Sequence, residues 1–177
     1  MSSFRSILHL ATHAEFNPGA IDRSYIQFWE EQLTLDGISS LALEDLELLV
    51  LSACTTALGS HEAELGFAGL AAFTGTESAV GSLWNVSDIG TMALMADFYE
   101  QLEHNPLRAF ALRQAQLSLL QGHTRIENNR LITSTVNHPF PEALVEGLSE
   151  DSDALETISF EHPFFWSGFT LVGSPWW

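Results

Sequence analysis

Short apolar runs, set apart by turn chemistry and by stretches of helical periodicity, define the framework of this chain. Ser6-Ile7-Leu8-His9-Leu10-Ala11 and Glu47-Leu48-Leu49-Val50-Leu51-Ser52 have the near-continuous apolar character of buried strands. Ser78-Ala79-Val80-Gly81-Ser82-Leu83 is a third core strand, and Gly168-Phe169-Thr170-Leu171-Val172-Gly173 is a last one. After the first run, Asn17-Pro18-Gly19-Ala20 is turn chemistry. Tyr25-Ile26-Gln27-Phe28-Trp29 and Gln32-Leu33-Thr34-Leu35 then predict a small hairpin turned by Glu30-Glu31.

Helical spacing fills the intervals. Ile38 to Leu46, with Leu41, Leu43 and Leu46, predicts a short helix. Leu65 to Phe73 places Phe67, Leu70 and Phe73 three apart and predicts a buried helix ending at Gly75. Met92, Met95, Phe98, Tyr99 and Leu102 form the apolar face of a clearer helix. Asn105-Pro106 predicts the cap and first position of the next, which runs to about Gln121 and stops at Gly122. Residues 123–161 lack a steady period and hold many acids, as in Ser149-Glu150-Asp151-Ser152-Asp153. They are expected to form a surface insertion with local helix, not a second domain.

Strands separated by helices predict one α/β domain over residues 1–177, built on a mostly parallel sheet. In such sheets a site forms beyond the carboxyl ends of the strands.

Composition narrows the class. The 177 residues are 46% apolar and 16% charged, enough for a core of their own. No run approaches the roughly 18 apolar residues of a membrane span. The start, Met1-Ser2-Ser3-Phe4-Arg5, lacks the apolar core of a signal peptide. Cys54 is the only cysteine, so no internal disulfide forms and a reducing cytoplasm is the expected compartment. The formal charge is −17 and all six basic residues are arginine. Without lysine there is no Schiff base, no P-loop lysine and no basic nucleic-acid stripe, so neither a nucleic acid nor, lacking a span, a membrane is an expected partner, and the charge would attract basic ones. Most of the acids are expected to be solvated surface.

Two runs deliver chemistry. The first leads into Thr12-His13-Ala14 and the second into Ala53-Cys54-Thr55, with His13 and Cys54 separated by 54 − 13 = 41 positions. One strand–connection–strand unit fits that interval. A free thiol has a pKa near 8.5, and an adjacent imidazole can take its proton and later protonate a leaving amine. The backbone N–H groups of Ala14 and Cys54 lie on the right loops to hold an oxyanion. Small residues Ala14, Ala53 and Gly59 would let a substrate carbonyl approach. The structural alternative is core packing for a lone cysteine and a satisfied polar group for a histidine after a strand. His61, His104, His123, His138 and His162 are scattered and have no metal-ligand spacing, so neither a metal nor a cofactor is expected. Glu62 and Glu64 could shape a cleft, though solvated loop acids explain them as well. Trp166, Trp176 and Trp177 are expected to pack.

Leu8-His9-Leu10-Ala11-Thr12-His13-Ala14-Glu15-Phe16 and Leu49-Val50-Leu51-Ser52-Ala53-Cys54-Thr55-Thr56-Ala57-Leu58-Gly59 resemble the two active-site blocks of CHAT-domain proteins. These are caspase-like cysteine peptidases of the group that includes caspases, separase and gingipains. Ser82-Leu83-Trp84-Asn85-Val86-Ser87-Asp88, Arg113-Gln114-Ala115-Gln116 and the stretch from His162-Pro163-Phe164-Phe165-Trp166 to Gly173-Ser174-Pro175-Trp176 resemble its later blocks, in order. The resemblance implies a caspase-like three-layer α/β/α fold. His13 would be the base or ion-pair partner and Cys54 the nucleophile, acting on a peptide or protein through a thioester. The chain departs from the pattern at Ala14, where the family often has glycine, and at Thr55, where it usually has glutamate. It also starts almost at the histidine strand, whereas a caspase-like sheet has further strands before it. This implies an N-terminally incomplete domain with an exposed parallel edge, open to self-association or to a partner.

For specificity, an aspartate-selecting pocket needs arginine, and only Arg23 lies on a suitable loop. Asp88 resembles an acidic pocket residue for a basic side chain, with Trp84 as an apolar wall. The alternative role for Asp88 is to stabilise a helix N-terminus. The resemblance also implies a tetratricopeptide-repeat regulator. The competing functional readings are a non-catalytic or partner-activated interaction module and a small-amide hydrolase.

Overall fold

The computed structural model describes residues 6–15, 23–34, 37, 45–52, 75–84, 86–139 and 157–175. They fall into two compact units, one of residues 1–86 with 168–177 and one of residues 87–167. Among the described residues no helix is long and apolar enough to cross a membrane.

The first unit is organised by a four-stranded sheet of β1 (Ile7–Leu10), β5 (Leu48–Leu51), β6 (Ser78–Ser82) and β11 (Phe169–Gly173), in the order β1-β5-β6-β11. β1, β5 and β6 are parallel and β11 joins β6 antiparallel. The sheet is thus mostly parallel, and the chain is α/β as the apolar runs predict. All four residues of β5 and all five of β6 are buried, which explains why the sequence shows continuous runs rather than alternation there. Among the described residues β1 lies at the edge of the sheet, and it is only partly covered.

Strand alternation divides the side chains between two faces. Leu8, Leu10, Leu49, Leu51, Ala79 and Val172 share an apolar cluster with Ala14, Ile26, Leu33 and Leu46. Ile26 and Leu33 come from the predicted hairpin, realised as β3 (Tyr25–Gln27) and β4 (Gln32–Thr34), and Ala14 comes from a further strand that pairs with β3, β2 (Ala14–Glu15). Ile26 points inward between outward-facing Tyr25 and Gln27, and its full burial contributes roughly 1.5–3 kcal/mol. The hairpin therefore lies against the face of the sheet that carries Leu10 and Leu51. At its turn the Phe28 N–H donates to the Glu31 carbonyl oxygen (2.8 Å), leaving Trp29 at the tip 97% exposed.

The second unit contains α1 (Asp88–His104), α2 (Arg108–Leu120) and a sheet of β7 (Arg125–Glu127), β8 (Arg130–Ile132), β9 (Asn137–Pro139) and β10 (Thr157–Ser159), ordered β10-β7-β8-β9. α1 starts at Ser87, whose hydroxyl accepts the Gly90 N–H, and α1 and α2 pack together. Ala111, Leu112, Ala115 and Leu119 supply the buried stripe of α2 at helical spacing. One reading needs correction. Pro106 is not the first helical residue: Arg108 is, and Asn105 caps the end of α1 while its side chain accepts the Leu107 N–H. Residues 140–156 lie outside the described residues, while the described part of 123–161 forms antiparallel strands. Their tightest turn is Asn128-Asn129, with φ of 52° and 56°, the geometry of a type I′ hairpin.

Residues 38–44 and 53–74, where two further helices are predicted, lie outside the described residues.

Candidate active site

The parallel register sets the geometry. Leu10 pairs with Leu51, and Leu51 pairs with Gly81, so the carboxyl ends of β1, β5 and β6 are level. Counting three positions onward along each chain gives His13, Cys54 and Trp84. Cys54 itself lies outside the described residues, as does Asn85.

His13 is fixed through its backbone. The Gln27 N–H donates to the His13 carbonyl oxygen (2.7 Å), and the Thr12 hydroxyl donates to the Gln27 carbonyl oxygen. The imidazole is left exposed at the end of β1. The next residue, Ala14, has a buried side chain opposite Ile26. The Gln27–His13 bond flanks that pair, which makes Ala14 a non-hydrogen-bonded position in the ladder, and its N–H points away from β3. An N–H directed off the ladder beside an exposed imidazole is an arrangement that can bind a developing oxyanion.

Sequence reasoning missed a pair at the same strand ends. His9 Nε2 and Ser52 Oγ are 2.8 Å apart across β1 and β5. Burial holds the His9 imidazole below its ordinary pKa, so the ring is neutral near pH 7. The signal available in the sequence was a polar residue inside, or closing, each of two matching apolar runs. Their partnership becomes visible only with the register.

The remaining candidates are placed as follows. Trp84 is half-buried and belongs to the first unit, where its indole lies against Gly168; a Cβ there would come within 2.7 Å of Trp84 Cε2. Asp88 belongs to the second unit and is exposed in the first turn of α1, where its charge favours the helix dipole. His162 caps a short 3₁₀ turn, its Nδ1 accepting the Phe164 N–H (3.2 Å), and a ring nitrogen of His104 bonds the Glu100 carbonyl oxygen. Among the described residues no three His, Cys, Asp or Glu side chains gather as a metal site.

The CHAT domain family model matches residues 4–174. The chain belongs to the CHAT-domain family. That family is related to the caspase-like peptidases, so this CHAT domain carries a peptidase-like fold. A comparison with curated proteins found no match.

Proposed function

We propose that this CHAT domain is a cysteine endopeptidase working through a His13/Cys54 dyad in a caspase-like three-layer α/β/α architecture. The observation that carries the reading is the level register of Leu10 with Leu51, three positions before His13 and Cys54 respectively. In the reaction, the Cys54 thiol gives its proton to His13 and the sulfur attacks the peptide carbonyl carbon. The Ala14 and Cys54 N–H groups hold the resulting oxyanion. The His13 imidazolium then protonates the leaving amine as the C–N bond breaks, and water, deprotonated by His13, hydrolyses the thioester. Asp88 and Trp84 would select a basic side chain before the scissile bond.

The test is labelling by an acyloxymethyl-ketone probe carrying a basic residue at that position. Wild-type protein should be labelled and Cys54→Ala should not. Labelling indifferent to Cys54→Ala would refute the reading.

A second reading, a partner-activated or non-catalytic module, is favoured by the edge position of β1, where Ile7 is 38% exposed. An added strand, from a second copy or from a tetratricopeptide-repeat regulator, could pair there. That reading expects no turnover by the 177-residue chain alone. Robust cleavage by the isolated chain would count against it.

A further inference from the structure

We propose that His9 and Ser52 are a positioning pair that ties the ends of β1 and β5 together and so sets the separation of the groups carried just beyond them. This rests on the His13/Cys54 reading and adds a residue pair to it.

Three observations support the pair. The Nε2–Oγ separation of 2.8 Å is that of a direct hydrogen bond between residues 43 positions apart. The bond sits where the ladder ends: His9 pairs with Val50, Leu10 with Leu51, and the Ser52 N–H donates to the Leu10 carbonyl oxygen at 3.1 Å. A backbone bond and a side-chain bond thus close the last register position together. The two residues also lead directly into the reactive groups, Ser52 two positions before Cys54 and His9 four before His13.

Side-chain chemistry suits the role. Along the same face of β1 and β5 the neighbours Ile7, Leu48 and Val50 are apolar, so a valine at position 9 would satisfy packing alone. The histidine supplies a directional bond instead, which fixes one strand end against the other. Because burial keeps the ring neutral, it does so without adding a buried positive charge to the sheet.

Because the chain holds one cysteine, alkylation by iodoacetamide reports Cys54 alone, and its pH dependence gives the thiolate fraction without a peptide substrate. The experiment compares the full chain with His13→Ala, His9→Val, Ser52→Ala, the double His9→Val/Ser52→Ala, and His9→Gln, whose amide nitrogen can occupy the Nε2 position. Thermal melting is followed for each. His9→Val and Ser52→Ala should each slow alkylation at pH 6.5 about tenfold, within the roughly hundredfold effect of a 1 Å displacement. The double variant should be no slower than His9→Val, since the bond between the two side chains is already lost in either single variant. His9→Gln should recover most of the rate. Unchanged profiles in His9→Val and Ser52→Ala beside an altered His13→Ala would overturn the positioning role and leave the dyad intact. A His13→Ala profile identical to wild type would remove the dyad, and the proposal with it. Reactivity that merely follows melting temperature across the set, with no recovery in His9→Gln, would make the pair a structural clip and also overturn the proposal.

Discussion

The Asp97 carboxylate accepts a 2.5 Å hydrogen bond from the Thr124 hydroxyl, and both residues are fully buried. Ser118 supplies the proton on the far side of Thr124 (2.8 Å), while Gln101 Nε2 donates to the other Asp97 oxygen (3.1 Å). One relay thus ties α1, the end of α2 and the start of β7. Thr124→Val keeps the shape and removes the donor, leaving a buried carboxylate oxygen short of a partner. The expected loss is about 1–3 kcal/mol in urea unfolding, with Thr124→Ser close to wild type.

Gly173 closes β11 at φ +100°, and a Cβ there would lie 2.3 Å from the Glu77 carbonyl oxygen. Both the dihedral and the clash involve backbone, which cannot rotate away. Gly173→Ala should lower stability by more than the roughly 1–3 kcal/mol of left-handed strain alone. A fall in the urea midpoint, or loss of soluble protein, is the readout.

Both tyrosines of the chain are shifted upward from the ordinary value of 10. The Tyr25 hydroxyl donates to Glu15 (2.9 Å), and this bond with the adjacent carboxylate charge favours the protonated phenol. Burial raises Tyr99 to about 12. Alkaline absorbance titration should therefore show no transition at the ordinary position, and Glu15→Gln should return Tyr25 towards it. Because the folded value is raised, the stabilisation from the Tyr25–Glu15 bond is complete below pH 10 and disappears as pH rises through the folded pKa.

His9 reverses that sign. Its folded pKa is below 6.5, so between the two values the unfolded chain binds a proton that the folded chain does not. Its contribution is complete above pH 6.5 and is lost as pH falls through the folded value. Unfolding free energies measured from pH 7.5 down to 5 should fall less steeply in His9→Gln than in wild type. Parallel slopes would mean that His9 titrates alike in both states.

Asp88 separates a substrate role from a dipole role. As a first-turn acid of α1 its charge is worth about 0.3–1 kcal/mol of stability, which Asp88→Asn would lose. If it also selects a basic side chain, Asp88→Asn should weaken labelling by a basic probe and spare a neutral one. Equal effects on both probes would leave only the dipole role.

Much of this architecture was legible because burial on both faces removes alternation: Leu48 to Leu51 can hardly be anything but an interior strand. The β3–β4 hairpin was legible from the polar Glu30-Glu31 between two alternating runs. The Asn128-Asn129 hairpin has a faint sequence signature because its strands are three residues long and charged, and only the two adjacent asparagines, both at left-handed positions, mark it. Pro106 misled because proline favours the first helical position, yet here Asn105 already serves the end of α1 and the chain needs one more residue to turn. The His9–Ser52 bond depends on a register between residues 43 apart, which no local pattern encodes.

Trp29 carries its own consequence. With 97% of its surface in water, while Trp84 and Trp166 are half-covered, it is the described indole most open to a collisional quencher such as acrylamide. The hairpin tip is thus a built-in lamp: whatever settles on it will shift that emission to shorter wavelength, and no dye need be attached to see it happen.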